Sequence, residues 1–136
     1  VVDIYMPDAK YAASAVGRAL SGVRNYPAVN RAMIREAYRQ VGNLAADARG
    51  VATRGLLVRH LVLPNGLSGT QAVMRFLSEE VSRHTYVNIM AQYRPCYHAD
   101  ENPLLARRIT KDEYQQALDD AQAAGLYRLD GFWTFG

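Results

Sequence analysis

Three apolar runs along the chain have strand character, and each stops at a polar cluster: Val2-Asp3-Ile4-Tyr5-Met6-Pro7-Asp8-Ala9-Lys10, Val58-Arg59-His60-Leu61-Val62-Leu63-Pro64-Asn65-Gly66, and Tyr86-Val87-Asn88-Ile89-Met90-Ala91-Gln92-Tyr93-Arg94-Pro95. An apolar strand that ends in a charged or amide-bearing turn, with a helix after it, is how parallel α/β proteins bring chemistry to the carboxyl edge of a sheet. Three such endings in series predict one shared site.

Helical periodicity fills the intervals. Residues 11–20 are Ala-rich and predict a short helix closed by Ser21-Gly22. Pro27 suits the first position of the next helix, because its missing N–H has no helical partner there in any case. From Val29 the apolar positions recur as Met33, Ala37 and Val41, with Ile34 and Tyr38 beside them, the spacing of one buried face. Residues 54–63 are apolar on both faces and predict an interior strand covered on two sides. Pro64-Asn65-Gly66 breaks that strand. Gly69-Thr70 then starts a helix with Ala72, Val73, Phe76, Leu77 and Val81 on its stripe.

Residues 86–91 form the third strand, and a long polar connection over 92–109 follows. Thr110 and Glu113 stand at capping-box spacing ahead of a helix whose inner face is Tyr114, Ala117, Leu118 and Ala121. Gly125 is placed for a left-handed C-cap, and residues 126–129 make a fourth short strand. The order β-α-α-β-α-β-α-β predicts an α/β protein with parallel strands and flanking helices. Small polar residues over 45–52 read as a loop.

With 136 residues the chain has room for one domain, able to bury roughly two thirds of its unfolded surface. No apolar run approaches the length of a membrane span, and Val1 opens without the pattern of a signal peptide, so a soluble cytoplasmic protein is expected. The net charge of +3 comes from arginines scattered through every element, with Arg107-Arg108 adjacent. That distribution makes no basic stripe to follow a phosphate backbone, and nucleic acid is not an expected partner. Cys96 is the single cysteine, so the chain has no internal disulfide and not enough thiolates for an iron–sulfur cluster. With His98 it makes only two ligands, short of a structural zinc site, and it reads as a packed or incidental residue.

The runs VDIYMPDAKY, NYPAVN, YRQVG, RGLLVRHLVLPNGLSGT, YVNIMAQYRPCY and RRIT followed by EY, in this order, resemble the carboxyl-terminal half of a radical S-adenosylmethionine (radical SAM) protein related to pyruvate formate-lyase activating enzymes. The resemblance extends from Val2 to about Leu129. It implies the C-terminal half of a partial (β/α)6 TIM-like barrel. In that family a 4Fe–4S cluster sits on a C-x3-C-x2-C loop, and S-adenosylmethionine is cleaved reductively to a radical that abstracts hydrogen from substrate. The three-cysteine loop and the glycine-rich segment that grips the methionine amine are both absent from this chain. The resemblance therefore implies a fragment of a longer oxidoreductase or activase, one that catalyses nothing by itself.

What the resemblance implies for individual residues follows the chemistry of S-adenosylmethionine, which offers a carboxylate, ribose hydroxyls and an adenine. Lys10 meets the carboxylate and Asp8 the ribose; the alternative is a solvated turn. Arg59 interrupts an apolar strand, where an unpaired guanidinium is costly to bury. It must therefore find an anion or point to the open end; the resemblance implies that it faces the cofactor there, and the alternative is a structural ion pair with a buried Asp or Glu. The turn at Leu63, Pro64, Asn65 and Gly66 resembles the segment whose backbone brackets adenine, with Gly66 allowing close approach. Gln92, which shares a strand face with Asn88 and Met90, and Tyr93 align with the family's ribose-contacting position. Arg94 opens the long loop on the substrate side.

His60 points away from Arg59 by strand alternation and reads as a satisfied, helix-facing residue. His84 lies at the far edge of the sheet. The Trp133 cluster is an exposed patch or a dimer contact in a fragment.

Two functional readings result. In one, the chain supplies S-adenosylmethionine- and substrate-binding strand ends to a radical enzyme whose missing N-terminal half binds the cluster and whose unknown substrate includes the option of a protein. In the other it is a non-catalytic half-barrel, a binding or assembly module completed by another chain. A phosphate site at the helix starting near Thr70 is a third, weaker option, with no glycine-rich loop behind it. In each case the open edge of the first strand is expected to promote self-association.

Overall fold

The computed structural model describes residues 3–9, 26–91 and 107–130. The 11–20 helix, the 92–106 part of the long connection and the Trp133 tail lie outside them. The described elements are β1 (Ile4–Tyr5), α1 (Tyr26–Val41), β2 (Ala45–Ala46), β3 (Ala52–Leu61), α2 (Thr70–Phe76, continued by a π-turn Leu77–Val81), β4 (Tyr86–Met90), α3 (Lys111–Ala123) and β5 (Leu129–Asp130). The chain is thus an α/β protein with the parallel sheet that its strand–helix alternation predicts. Sheet order is β1-β3-β4-β5, every pair parallel, with the short β2 added antiparallel at the start of β3.

Register fixes which side chains share a face. Val58 lies beside Val87 and His60 beside Ile89, while Leu57 lies beside Tyr86, Arg59 beside Asn88 and Leu61 beside Met90. The first set is buried in one cluster with Ile34, Ala37 and Val41 of α1, Val73, Met74 and Phe76 of α2, and Tyr114, Ala117 and Ala121 of α3. All three described helices therefore cover the same face of the sheet. On the opposite face Leu57 and Leu61 are only half-buried and Arg59 is exposed. This corrects the expectation that residues 54–63 are covered on two sides: the second apolar set of β3 is not capped by a described element.

Three finer expectations also change. In α1 the buried stripe is Ile34, Ala37 and Val41, whereas Val29 and Met33 are 63% and 47% exposed, Met33 lining a groove with Tyr5, Met6 and Pro7. In α2 Met74 is buried and Ala72 turns outward. The expected loop over 45–52 instead forms a hairpin, in which the Asp47 carboxylate accepts the N–H groups of Arg49 (2.8 Å) and Val51 (3.0 Å). The capping box at Thr110 and Glu113 is present with both of its bonds. Gly125, at φ 93°, closes α3 as expected: its N–H reaches the Gln122 carbonyl and the Leu126 N–H the Ala121 carbonyl, a Schellman pair. No helix among the described residues is long and apolar enough to cross a membrane.

Gly55 marks where the chain leaving α1 crosses the start of β3. The Leu56 N–H donates to the Gly42 carbonyl at 2.9 Å, and a Cβ on Gly55 would lie 2.3 Å from the Asn43 carbonyl oxygen, at a φ of +117°. Gly66 also has a positive φ, +69°, but nothing lies within 4 Å of its missing Cβ. Gly55→Ala should therefore cost about 3 kcal/mol or more from strain and collision, and Gly66→Ala about 1 kcal/mol from the left-handed conformation alone. Urea midpoints of the two variants check this, and equal losses would refute the crowding at Gly55.

Candidate functional site

The open face of the sheet carries the polar residues. Asp8 bridges to Arg59 in parallel register, which extends the β1 pairing past Tyr5. The Arg59 N–H donates to the Pro7 carbonyl (2.9 Å) and the Ala9 N–H to the Arg59 carbonyl (2.8 Å). Strand alternation then places Asp8 and Arg59 side by side on the open face, with Nε 3.8 Å from Oδ1. The guanidinium also approaches the Met90 sulfur at 3.6 Å. So Arg59 points to the open side and pairs there with a partly exposed carboxylate. The ion-pair distance is too long for a hydrogen bond, and Asp8 Oδ1, itself closed off from solvent, has no hydrogen-bond donor among the described residues. An acceptor in that condition costs about 1–3 kcal/mol, which an incoming hydroxyl or amine would relieve.

The backbone carrying Asp8 is held from behind. The Asp8 carbonyl accepts the Asn30 side-chain amide of α1 at 2.6 Å. The next carbonyl, of Ala9, lies 2.6 Å from His60 Nδ1. A carbonyl can only accept, so Nδ1 carries the proton, and in the neutral ring Nε2 accepts from the Thr70 hydroxyl at 2.9 Å. The Ser68 hydroxyl lies 3.1 Å from that of Thr70 and accepts the Leu63 N–H at 3.4 Å. His60 is fully buried, and burial pulls its pKa from 6.5 down to about 4 against the opposing bond to Ala9. The helix-facing, satisfied histidine expected from alternation is what the structure contains.

The Leu63–Gly66 turn is tied inward. Leu63 is buried, and Asn65 adopts a left-handed φ of 59°. The Asn65 N–H donates to Glu113 Oε2 at 2.7 Å, and its Oδ1 accepts from Arg107 at 3.1 Å. Glu113 also accepts from Arg107 (2.7 Å) and the Thr110 N–H (2.8 Å). The Arg107 guanidinium, followed by the backbone donors, holds its carboxyl down to about 2 despite partial burial. The capping-box glutamate therefore also anchors the strand-end turn, a role that local spacing does not reveal. The N–H groups of Leu63 and Asn65 are engaged within the protein. Gly66 has a positive φ and no protein atom within 4 Å of where its Cβ would lie.

Asp8, Arg59, Leu63, Asn65 and Gly66 are thus located, with Asp8 and Arg59 brought together on the open face. Lys10, Gln92, Tyr93 and Arg94 lie outside the described residues, as do Cys96 and His98. The same face also carries Asn88 and, in register with it on β5, Asp130. Asp130 was not singled out from the sequence, because only strand register places it there. Burial and then the Asp130 charge raise the pKa of the Tyr86 phenol, on the strand face that Asn88 shares. A cleft of about 420 Å³ opens behind the Leu63–Gly66 turn, between α2 and α3, lined also by Thr70, Glu113 and Asp120 among others. Its carboxylates already accept bonds from Arg107 and Gln116, so the unsatisfied chemistry is on the open face. Among the described residues no group of three or more His, Cys, Asp or Glu is placed to hold a metal.

No family model matches the chain, and no solved structure matches it. The uncharacterized protein MJ0674 of Methanocaldococcus jannaschii is 34% identical over 134 residues, a match that takes in 96% of this chain and 33% of that protein. The chain thus spans about a third of the length of the curated relative it matches.

The depressed His60 pKa makes the fold sensitive to acid. The unfolded chain takes up this proton below pH 6.5, whereas the folded one resists until about pH 4. Stability that is complete above pH 6.5 should therefore fall as the pH drops through that window, by about 3 kcal/mol in all. Glu113, lowered from 4.5 to about 2, adds a separate loss that begins only below pH 4.5. Urea unfolding at pH 7, 5.5 and 4.5 should show the first loss in the native sequence and little of it in His60→Gln. The same slope in both proteins would contradict the assignment.

Proposed function

We propose that this chain is the C-terminal part of a partial TIM-like, radical S-adenosylmethionine barrel related to pyruvate formate-lyase activating enzymes, and that it supplies strand ends that bind S-adenosylmethionine and face the substrate. The observation that carries the reading is the Asp8–Arg59 pair, a closed-off carboxylate oxygen with no donor among the described residues, beside an exposed guanidinium. A ribose hydroxyl is a donor of the kind Asp8 Oδ1 lacks, and Arg59 complements a carboxylate or a polar edge of the ligand. Lys10, two residues on, adds a second cation for the methionine carboxylate.

Strand order supports the barrel part of the reading. Each parallel strand in β1-β3-β4-β5 follows its predecessor in one direction, and crossovers of one hand that never reverse direction put every helix on one face. A doubly wound sheet reverses and has helices on both. Under this reading the open face is the barrel interior.

The residues of this chain do not fit an iron–sulfur cluster, since Cys96 is its single cysteine. The cluster ligands therefore belong to a preceding segment, and no chemical step is assigned to residues of this chain. S-adenosylmethionine bound to such a cluster supplies the hydrogen-abstracting chemistry. This chain's residues orient the ribose and carboxylate and shape the substrate's surroundings.

The second reading, a half-barrel module completed by another chain, draws on the outer side of β1. There Tyr5, Met6, Pro7, Met33 and Ala37 line a mostly apolar groove of about 390 Å³, and Met6 is 61% exposed. Both readings put a further segment at this edge; they differ in whether it belongs to the same polypeptide.

The intact mass of the native polypeptide, with the sequence ahead of Val1, separates them. We expect a chain well above 15.1 kDa with a C-x3-C-x2-C loop; a native mass of 15.1 kDa would leave the module. In the native polypeptide, Asp8→Ala and Arg59→Leu should each weaken S-adenosylmethionine binding about tenfold in equilibrium dialysis, the scale of one charge-assisted hydrogen bond. Arg35→Gln, which removes an exposed pair with Glu80 on the helix layer, should leave it unchanged. Unaltered binding in both site variants would sink the assignment.

A further inference from the structure

The strand-end site leaves one fully buried ionisable side chain with no part in it. His60 is 0% exposed, and an imidazole is a poor choice for filling a core, because both of its nitrogens must be satisfied where an aliphatic side chain needs nothing. Both are satisfied, and by different segments. Nδ1–H holds the Ala9 carbonyl at 2.6 Å, one residue after Asp8. Nε2 accepts from Thr70 at 2.9 Å, and from there the Ser68 hydroxyl leads to the Leu63 N–H at 3.4 Å.

The ring also sits in β3 next to Arg59, so its backbone is continuous with the residue that faces Asp8. With the Asn30 amide on the Asp8 carbonyl and the Arg59 carbonyl on the Ala9 N–H, three hydrogen bonds fix two consecutive residues at the end of β1. The His60 ring is the member of this set that also reaches the turn after β3.

We propose that His60 is a positioning residue for the open-face site: its neutral imidazole couples the β1 end carrying Asp8 to the Leu63–Gly66 turn, setting their spacing from behind the sheet. This rests on the reading that those two strand ends contact S-adenosylmethionine. A side chain that touches no ligand acts here through backbone geometry. The carbonyl it holds orients the Asp8–Ala9 peptide, and the relay through Thr70 and Ser68 orients the first residue of the turn.

The test compares His60→Leu, His60→Gln and Thr70→Val in the native polypeptide, reading amide hydrogen exchange at Ala9 and Leu63 together with equilibrium dialysis of S-adenosylmethionine. His60→Leu keeps the volume and loses both bonds. It should speed exchange about tenfold or more at both amides while distant β4 amides stay protected, and weaken binding about tenfold. Glutamine, with a donor and an acceptor at comparable reach, should return both readouts to within about threefold of the native values. Thr70→Val keeps the bond to Ala9 and should speed exchange at Leu63 alone.

Exchange rising uniformly over the sheet, failure of glutamine to rescue, or unchanged affinity in His60→Leu would each overturn the proposal. If His60→Leu does not fold, Thr70→Val decides, and an undisturbed Leu63 amide in that variant overturns it. If the native polypeptide itself fails to bind S-adenosylmethionine, the functional reading falls, and the exchange pattern alone decides whether His60 couples the two strand ends.

Discussion

β3 has a neighbour on each side and side chains pointing to both faces, so its alternation decides where everything else goes. Leu56, Val58, His60 and Val62 point one way and are buried; Leu57, Arg59 and Leu61 point the other way and are not. A slip of one residue would drive the Arg59 guanidinium under the helices and bring His60 out to the open face, at the cost of burying a charge without a partner. The register against β4 is therefore strongly specified, and it carries Asn88 and Met90 to the face of Arg59. The hydrophobic layer and the polar face are two consequences of the same periodicity.

The two sides of the sheet treat their polar groups oppositely. On the helix side every nitrogen of His60 is bonded and the ring stays neutral at ordinary pH, since burial drives its pKa to about 4. On the open side Arg59 is 45% and Asp8 40% exposed, with no direct hydrogen bond between them. A satisfied buried network makes a stiff frame, and groups kept short of satisfaction at a rim can exchange one another for a ligand. Glu113 extends the frame, since its carboxylate ties the start of α3 to the Asn65 backbone across the top of β3.

Much of this was legible in the sequence wherever a local rule acts alone. The capping box at Thr110 and Glu113, the left-handed Gly125, the inward turn of His60 and the parallel order of strands all follow from spacing or alternation. Misreadings arose where a residue answers to something distant. Val29 and Met33 fit the helical period of α1, but the stripe that meets the sheet is set a residue over, at Ile34, because β1 and β3 determine which side of α1 is inside. The small residues of 45–52 hid a hairpin whose signal was Asp47 and Gly50, with Gly50 at φ 79°. Asp130 joined the open face only through register with Asn88. Nor does the spacing of a capping box say that its glutamate reaches a turn 48 residues away.

The side of the sheet that no described element covers bears on what can pack against it. Parallel strands are ordinarily buried on both faces, yet here Leu57, Leu61, Tyr86 and Met90 remain half-buried opposite three helices. Closing the sheet on itself would shelter these side chains and leave Arg59 and Asp8 at the rim, whereas a second helical layer would have to bury the guanidinium, for which Asp8 at 3.8 Å is a poor partner. Under the barrel reading proposed above, electrostatics is on the side of closure rather than capping. The exposed Met6 and Met33, which line one groove with Tyr5 and Pro7, are under that proposed reading the apolar surface against which a further element would pack.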